Sequence, residues 1–138
     1  MADIPVGFRP INYDSGQVKS MLMNTSVTVT KGDALAFTSG YVRRAINTDT
    51  KIKYVALEGK TDDGTNEGLL CVRTDGVEFL ATTDSTPAQS QVGSVADLVD
   101  HNTVDENAAS TDYVFEITEV VDTTNNIIKG YFHPTISA

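Results

Sequence analysis

Between Val27 and Ala45 short β-branched or apolar runs alternate with polar, glycine-bearing breaks: Val27-Thr-Val-Thr30, Lys31-Gly32-Asp33, Ala34-Leu-Ala-Phe-Thr38, Ser39-Gly40, Tyr41-Val-Arg-Arg-Ala45. Runs this short predict a β meander, because Val, Thr and aromatic side chains suit a pleated surface and glycine reaches positive φ without a Cβ clash. Residues 18–24 and 54–58 read as further strands, with Met21, Leu22 and Met23 filling a core or an interface. Residues 69–74 and 77–81 flank Asp75-Gly76, a pair that suits a type I′ turn, and predict a hairpin. Alternation along residues 113–121 places Tyr113, Phe115, Ile117 and Val121 on one face and Glu116 and Thr118 on the other. Residues 127–133 return after Asn125-Asn126 as a second hairpin, and residues 92–99 suit a strand entered through Gly93, with a helical turn over 95–99 as the alternative. The polar stretches 59–68, 82–91 and 100–112 read as loops.

The expected fold is therefore all-β: a small β-barrel or β-tulip-like sandwich of about nine short strands, which closes on itself and hides edges that would invite aggregation. Ahead of it, residues 1–17 carry Pro5, Gly7, Pro10 and Gly16 without helix or strand periodicity and predict an extended N-terminal arm, leaving residues 18–138 as a single β-barrel domain. A solvated tail is poor in large apolar groups. Ile4, Phe8, Ile11 and Tyr13 therefore suggest that the arm docks, either on its own barrel or on a neighbour.

The length of 138 residues allows one core. Ten Lys and Arg against nineteen Asp and Glu give a formal charge of −9, which disfavours a nucleic-acid partner. The single cysteine, Cys71, cannot form an internal disulfide, so folding in a reducing cytoplasm is expected. No apolar run approaches the ~20 residues of a membrane-spanning helix, and the first residues lack the basic and apolar regions of a signal peptide, so neither membrane insertion nor secretion is expected.

Catalytic and cofactor chemistry is sparse. Cys71 lies in an apolar run, where a thiol behaves as a small hydrophobe. His101 sits near Asp100, Asp105 and Glu106, but no His-x-x-x-His or cysteine pair accompanies it, so a solvated acidic loop is expected and no metal. Residues 62–67, Asp-Asp-Gly-Thr-Asn-Glu, match a calcium loop in composition but not in spacing. A turn with solvated carboxylates explains them, and weak surface calcium binding stays open. Neither a nucleophile elbow nor a phosphate cradle is present, so no enzyme and no cofactor are expected. Arg43 and Arg44 should point to opposite faces of their strand, as surface arginines or with one meeting a partner's carboxylate.

The run Val29-Thr-Lys-Gly-Asp-Ala-Leu-Ala-Phe37, followed by Ser39-Gly-Tyr-Val-Arg-Arg-Ala45, Tyr54-Val-Ala-Leu-Glu-Gly59 and Leu70-Cys-Val-Arg-Thr-Asp-Gly-Val-Glu-Phe79, resembles the small β-barrel bacteriophage capsid decoration, or cement, proteins. The resemblance covers about the central third of the chain. It implies a non-enzymatic protein that binds and stabilises the outside of an assembled capsid, commonly as a trimer at local threefold axes. The implied partner is the major capsid protein, and the implied location is the virion surface after synthesis in the host cytoplasm. On this reading residues 1–17 grip the lattice, and Ile4, Phe8, Arg9, Ile11 and Tyr13 meet the capsid or a neighbouring subunit. Removing the arm should then abolish binding and leave the melting temperature nearly unchanged. The alternative is a ligand- or carbohydrate-binding β module, or a structural protein, of a phage tail. The absence of Trp and the expected inward placement of most Tyr and Phe weigh against a sugar-stacking platform.

Overall fold

The computed structural model describes residues 7–49, 51–106 and 114–132. Ile4, Tyr113 and His133 lie outside them. The described strands are β1 (Arg9–Pro10), β2 (Val18–Leu22), β3 (Thr28–Val29), β4 (Ala34–Thr38), β5 (Tyr41–Arg44), β6 (Tyr54–Ala56), β7 (Lys60–Thr61), β8 (Gly68–Arg73), β9 (Glu78–Thr82), β10 (Val95–Asp100), β11 (Thr103–Asp105), β12 (Phe115–Asp122) and β13 (Ile127–Phe132). The helical elements described are two single 3₁₀ turns, Ser15–Gln17 and Gln89–Gln91. The protein is all-β, as its short alternating runs require. None of the described helices is long and apolar enough to cross a membrane.

The strands form a five-stranded sheet, β2-β8-β6-β4-β5, a six-stranded sheet, β1-β9-β13-β12-β10-β11, and a small pair, β3-β7. Each larger sheet curls back on itself through an isolated parallel bridge: Met23, just past β2, with Val42 of β5 in the first, and Thr83, just past β9, with Val104 of β11 in the second, where β1 remains an edge. Asn24 N–H donates to the Val42 carbonyl and Asp84 N–H to the Val104 carbonyl, so both seams are hydrogen-bonded. Few strand edges stay open.

Two glycine turns of similar sequence do different things. At Ser39-Gly40 both residues have positive φ, 52° and 88°, and β4 pairs directly with β5 through Thr38 and Tyr41. That is the I′ geometry, whose twist matches antiparallel strands. At Asp75-Gly76 only Gly76 is in the left-handed region, with φ 75°, and Val77 N–H donates to the Thr74 carbonyl. This is a type II geometry, which splays its flanks. The expected hairpin across Asp75-Gly76 is therefore absent: β8 belongs to the five-stranded sheet and β9 to the six-stranded one.

The second expected hairpin forms, β12 with β13, but with register shifts between Ile117 and Glu119 and between Val120 and Asp122. The first irregularity resets the alternation. Phe115 and Ile117 are buried as expected, whereas Val120 turns to the core and Val121 is left 44 % exposed. The polar stretch after Val99 also yields a strand, β11, paired to β10.

The five-stranded curl encloses Met23, Val29, Leu35, Val42, Ala56, Leu69 and Cys71. Its opposite face, carrying Ala34, Ala36, Val55 and Val72, joins a second core with Phe79, Phe115, Ile117, Ile128 and Phe132 of the six-stranded sheet. Gly130 makes that core possible. A Cβ there would strike the Glu116 carbonyl oxygen and the Phe115 ring.

Candidate functional site

Residues 7–17 are stapled along their length to the body. Gly7, at φ 109°, lies so close to Gly32 that a Cβ would come within 2.8 Å of the Gly32 carbonyl oxygen. Its N–H donates to Thr82 Oγ1 at 3.1 Å, and Phe8 N–H donates to the Gly32 carbonyl at 2.8 Å. Arg9 and Pro10 then pair with Leu80 and Phe79, and Ile11 N–H donates to the Glu78 carbonyl. Pro10 is tolerated because β1 is an edge strand, where a missing N–H breaks no ladder. Asp14 closes a capping box with Gln17, whose Nε2 donates to the Asp75 carbonyl.

The five residues expected to meet a partner fare differently. Phe8 is only 2 % exposed, with its ring 4.7 Å from Phe132 and 5.5 Å from Phe115. It is part of the chain's own core and offers no surface to a partner. Arg9 is exposed, and Ile11 and Tyr13 are 43 % and 44 % exposed. Ile4 is outside the described residues. Where the arm crosses the barrel it bounds a cleft of about 790 Å³, walled by Arg9 and Tyr13 on one side and by Lys31, Leu57, Leu70 and Asn102 on the other. Leu70 is an outward residue on a strand whose Leu69, Cys71 and Val72 are buried, because the six-stranded sheet covers Val72 but not Leu70. Among the described residues no ion pair engages Arg9 or Lys31. The cleft therefore combines apolar surface with two free cations.

Several charged groups elsewhere are committed to structure. Asp33, 1 % exposed, receives Thr30 N–H and Arg44 Nε on one oxygen, both at 2.8 Å, and faces His101 Nδ1 at 3.1 Å on the other. With Ala34 N–H donating to the His101 carbonyl, this node ties the first sheet to the β10–β11 turn. His101 is thus paired with Asp33. Asp100 instead caps Asn102 N–H, and Glu106 accepts from the Ser85 hydroxyl at 2.6 Å, so the acidic groups expected around His101 are dispersed.

Arg43 and Arg44 do lie on opposite faces, opposite Ala36 and Leu35, but both find carboxylates within the chain. Arg43 grips Asp49 with two nitrogens at 2.9 and 3.1 Å, which raises its own pKa further. Burial alone would push Asp49 up; the Arg43 guanidinium and Ile46 N–H outweigh it and hold the carboxyl below its ordinary value.

Among the described residues, Asp62, Asp63 and Glu67 come close enough together to suggest a cation. Asp62 is not solvated, as expected from sequence, but 2 % exposed, with Ser26, Gly64 and Glu67 N–H groups on its oxygens. Led by the Glu67 N–H, these donors hold its carboxyl below the ordinary value. Asp63 accepts from Thr65 N–H and Oγ1, and Glu67 from Asp63 N–H. The loop is a turn built on its own carboxylates.

Cys71 is fully buried, its thiol facing the Leu69 carbonyl at 3.2 Å. Burial pushes the thiol pKa up to about 12, so it is a core residue with no nucleophilic character near neutrality.

The Asp33–Arg44–His101 node escaped sequence reasoning because its members are spread over 68 positions. The arm cleft was half legible, in Arg9 and Tyr13; its other wall joins Leu70, which reads as core, to Lys31 and Asn102 from turns. Comparison with family models, curated proteins and solved structures returns no match.

Proposed function

We propose that this chain is a non-enzymatic structural protein that binds the outer surface of an assembled phage capsid and stabilises it, as a trimer at local threefold axes. The partner is the major capsid protein, and the virion surface is where the protein works. The observation that carries this reading is the arm face: Arg9, Ile11 and Tyr13 stand exposed on a segment hydrogen-bonded along its length to the barrel, and Arg9 and Tyr13 share a cleft with the exposed Leu70 and Lys31 of the barrel itself. Such a face meets a surface without an ordering cost, and three copies on one trimer convert modest contacts into avidity.

The test is co-sedimentation with expanded capsids stripped of their decoration protein. The wild type should pellet with the shells and raise their disruption temperature. A Tyr13→Asp/Leu70→Asp variant of unchanged melting temperature should stay in the supernatant. Failure of the wild type to pellet would overturn the reading. The cleft of about 790 Å³ favours one second reading, a ligand- or carbohydrate-binding module of a phage tail, since a rim tyrosine can stack a sugar. Saturable glycan binding lost with Tyr13→Ala would establish it instead.

A further inference from the structure

A second surface feature lies away from the arm. Lys51, Ile52 and Lys53 lead into β6, with Ile52 3 % exposed and both lysines exposed. The segment is pinned: the Ile52 carbonyl accepts the Thr74 hydroxyl at 2.6 Å and the Lys53 carbonyl accepts Thr74 N–H at 3.0 Å. With Ile52 turned to the core, the lysines on either side of it both stand exposed, two residues apart along the backbone. They line a hollow of about 440 Å³ together with Ala36 and the exposed Phe37, whose ring is set edge-on against Tyr54 at 5.8 Å. The acidic group lining the hollow, Asp49, is already committed to Arg43 and to Ile46 N–H. No ion pair among the described residues engages Lys51 or Lys53, in a chain of formal charge −9.

We propose that this hollow is a docking site for an extended, acidic segment of a partner protein, one carrying carboxylates on alternate residues. Charge and period are both complementary: an extended partner strand presents every second side chain on one face, about 7 Å apart, which suits two exposed lysines two residues apart, and Phe37 adds apolar surface to the same hollow. Alternate carboxylates reach both lysines at once, whereas adjacent ones point to opposite sides. Only the partner's source rests on the capsid reading, under which the segment belongs to the shell protein.

The experiment is an amide NMR titration of the full chain with Ac-Glu-Val-Glu-NH₂, and with Ac-Gln-Val-Gln-NH₂ as the uncharged probe. The expected result is saturable shifts confined to Phe37, Thr48, Lys51 and Lys53. The Gln peptide should bind at least about tenfold more weakly, and raising salt from about 50 to about 300 mM should weaken the acidic probe several-fold. Lys51→Glu/Lys53→Glu should abolish binding and Lys51→Arg/Lys53→Arg should retain it, both at unchanged melting temperature. Equal shifts around Arg9 and Lys31, or equal binding of both peptides, would overturn the proposal. So would concentration-dependent self-association abolished by the charge reversal, which gives the hollow to a second copy. Peptide binding at the hollow by a wild type that fails to pellet with capsids supports this proposal and overturns only the capsid reading.

Discussion

The two cores solve the same problem with different residues. Inside the five-stranded curl the buried side chains are aliphatic or sulfur-bearing, and every one is supplied by the barrel's own strands and turns. The second core is wider and aromatic: Phe79, Phe115 and Phe132 leave a space between the sheets, and Phe8 of the N-terminal segment fills it. A small curl seals itself, whereas a sheet facing another sheet needs a plug. The arm is therefore a structural part of the domain, and its outward residues are positioned because its inward one is buried.

The largest expected effect follows from that difference. Phe8→Ala should cost about 3–5 kcal/mol, the range for emptying a buried aromatic site, measured as a shift in the urea midpoint. A variant as stable as the wild type would show that the plug is dispensable. Gly130→Ala tests how tightly the same core is closed; with the Glu116 carbonyl and the Phe115 ring in the way, it should cost at least about 1–3 kcal/mol.

A smaller, pH-dependent effect belongs to the first curl. The native carboxyl of Asp62 is held low, so its contribution is fully present above the unfolded value of about 4 and is lost as pH falls through the native one. Asp62→Asn should thus destabilise at pH 7, and the gap to the wild type should narrow in acid. A constant gap in urea midpoints across that range would count against it. The smallest effect is expected at Tyr13→Ser, within about 0.5 kcal/mol, because the ring is outside both cores.

Alternation and turn chemistry made much of this fold legible. The pairing of β12 with β13 follows from them, as does the Ser39-Gly40 turn. The partner of each strand did not follow. Asp75-Gly76 has the composition of an I′ turn, yet its type depends on the φ of Asp75, which tertiary packing decides. The bulge that exposes Val121 leaves no local mark, since Glu119 and Val121 fit the same alternation until Thr118 is displaced. Phe8 is an isolated aromatic in an aperiodic segment, so nothing nearby states which core receives it. Of the surface features, Leu70 reads as core until the sheet that fails to cover it is in place.

The most direct test of the plug is denaturant unfolding of the chain with residues 1–12 removed, set beside the full chain. The account predicts a lowered midpoint together with exposed apolar surface that binds a hydrophobic dye, as expected when the Phe79, Phe115 and Phe132 cluster loses Phe8. Superimposable unfolding curves without dye binding would contradict it and return the segment to the status of a free arm.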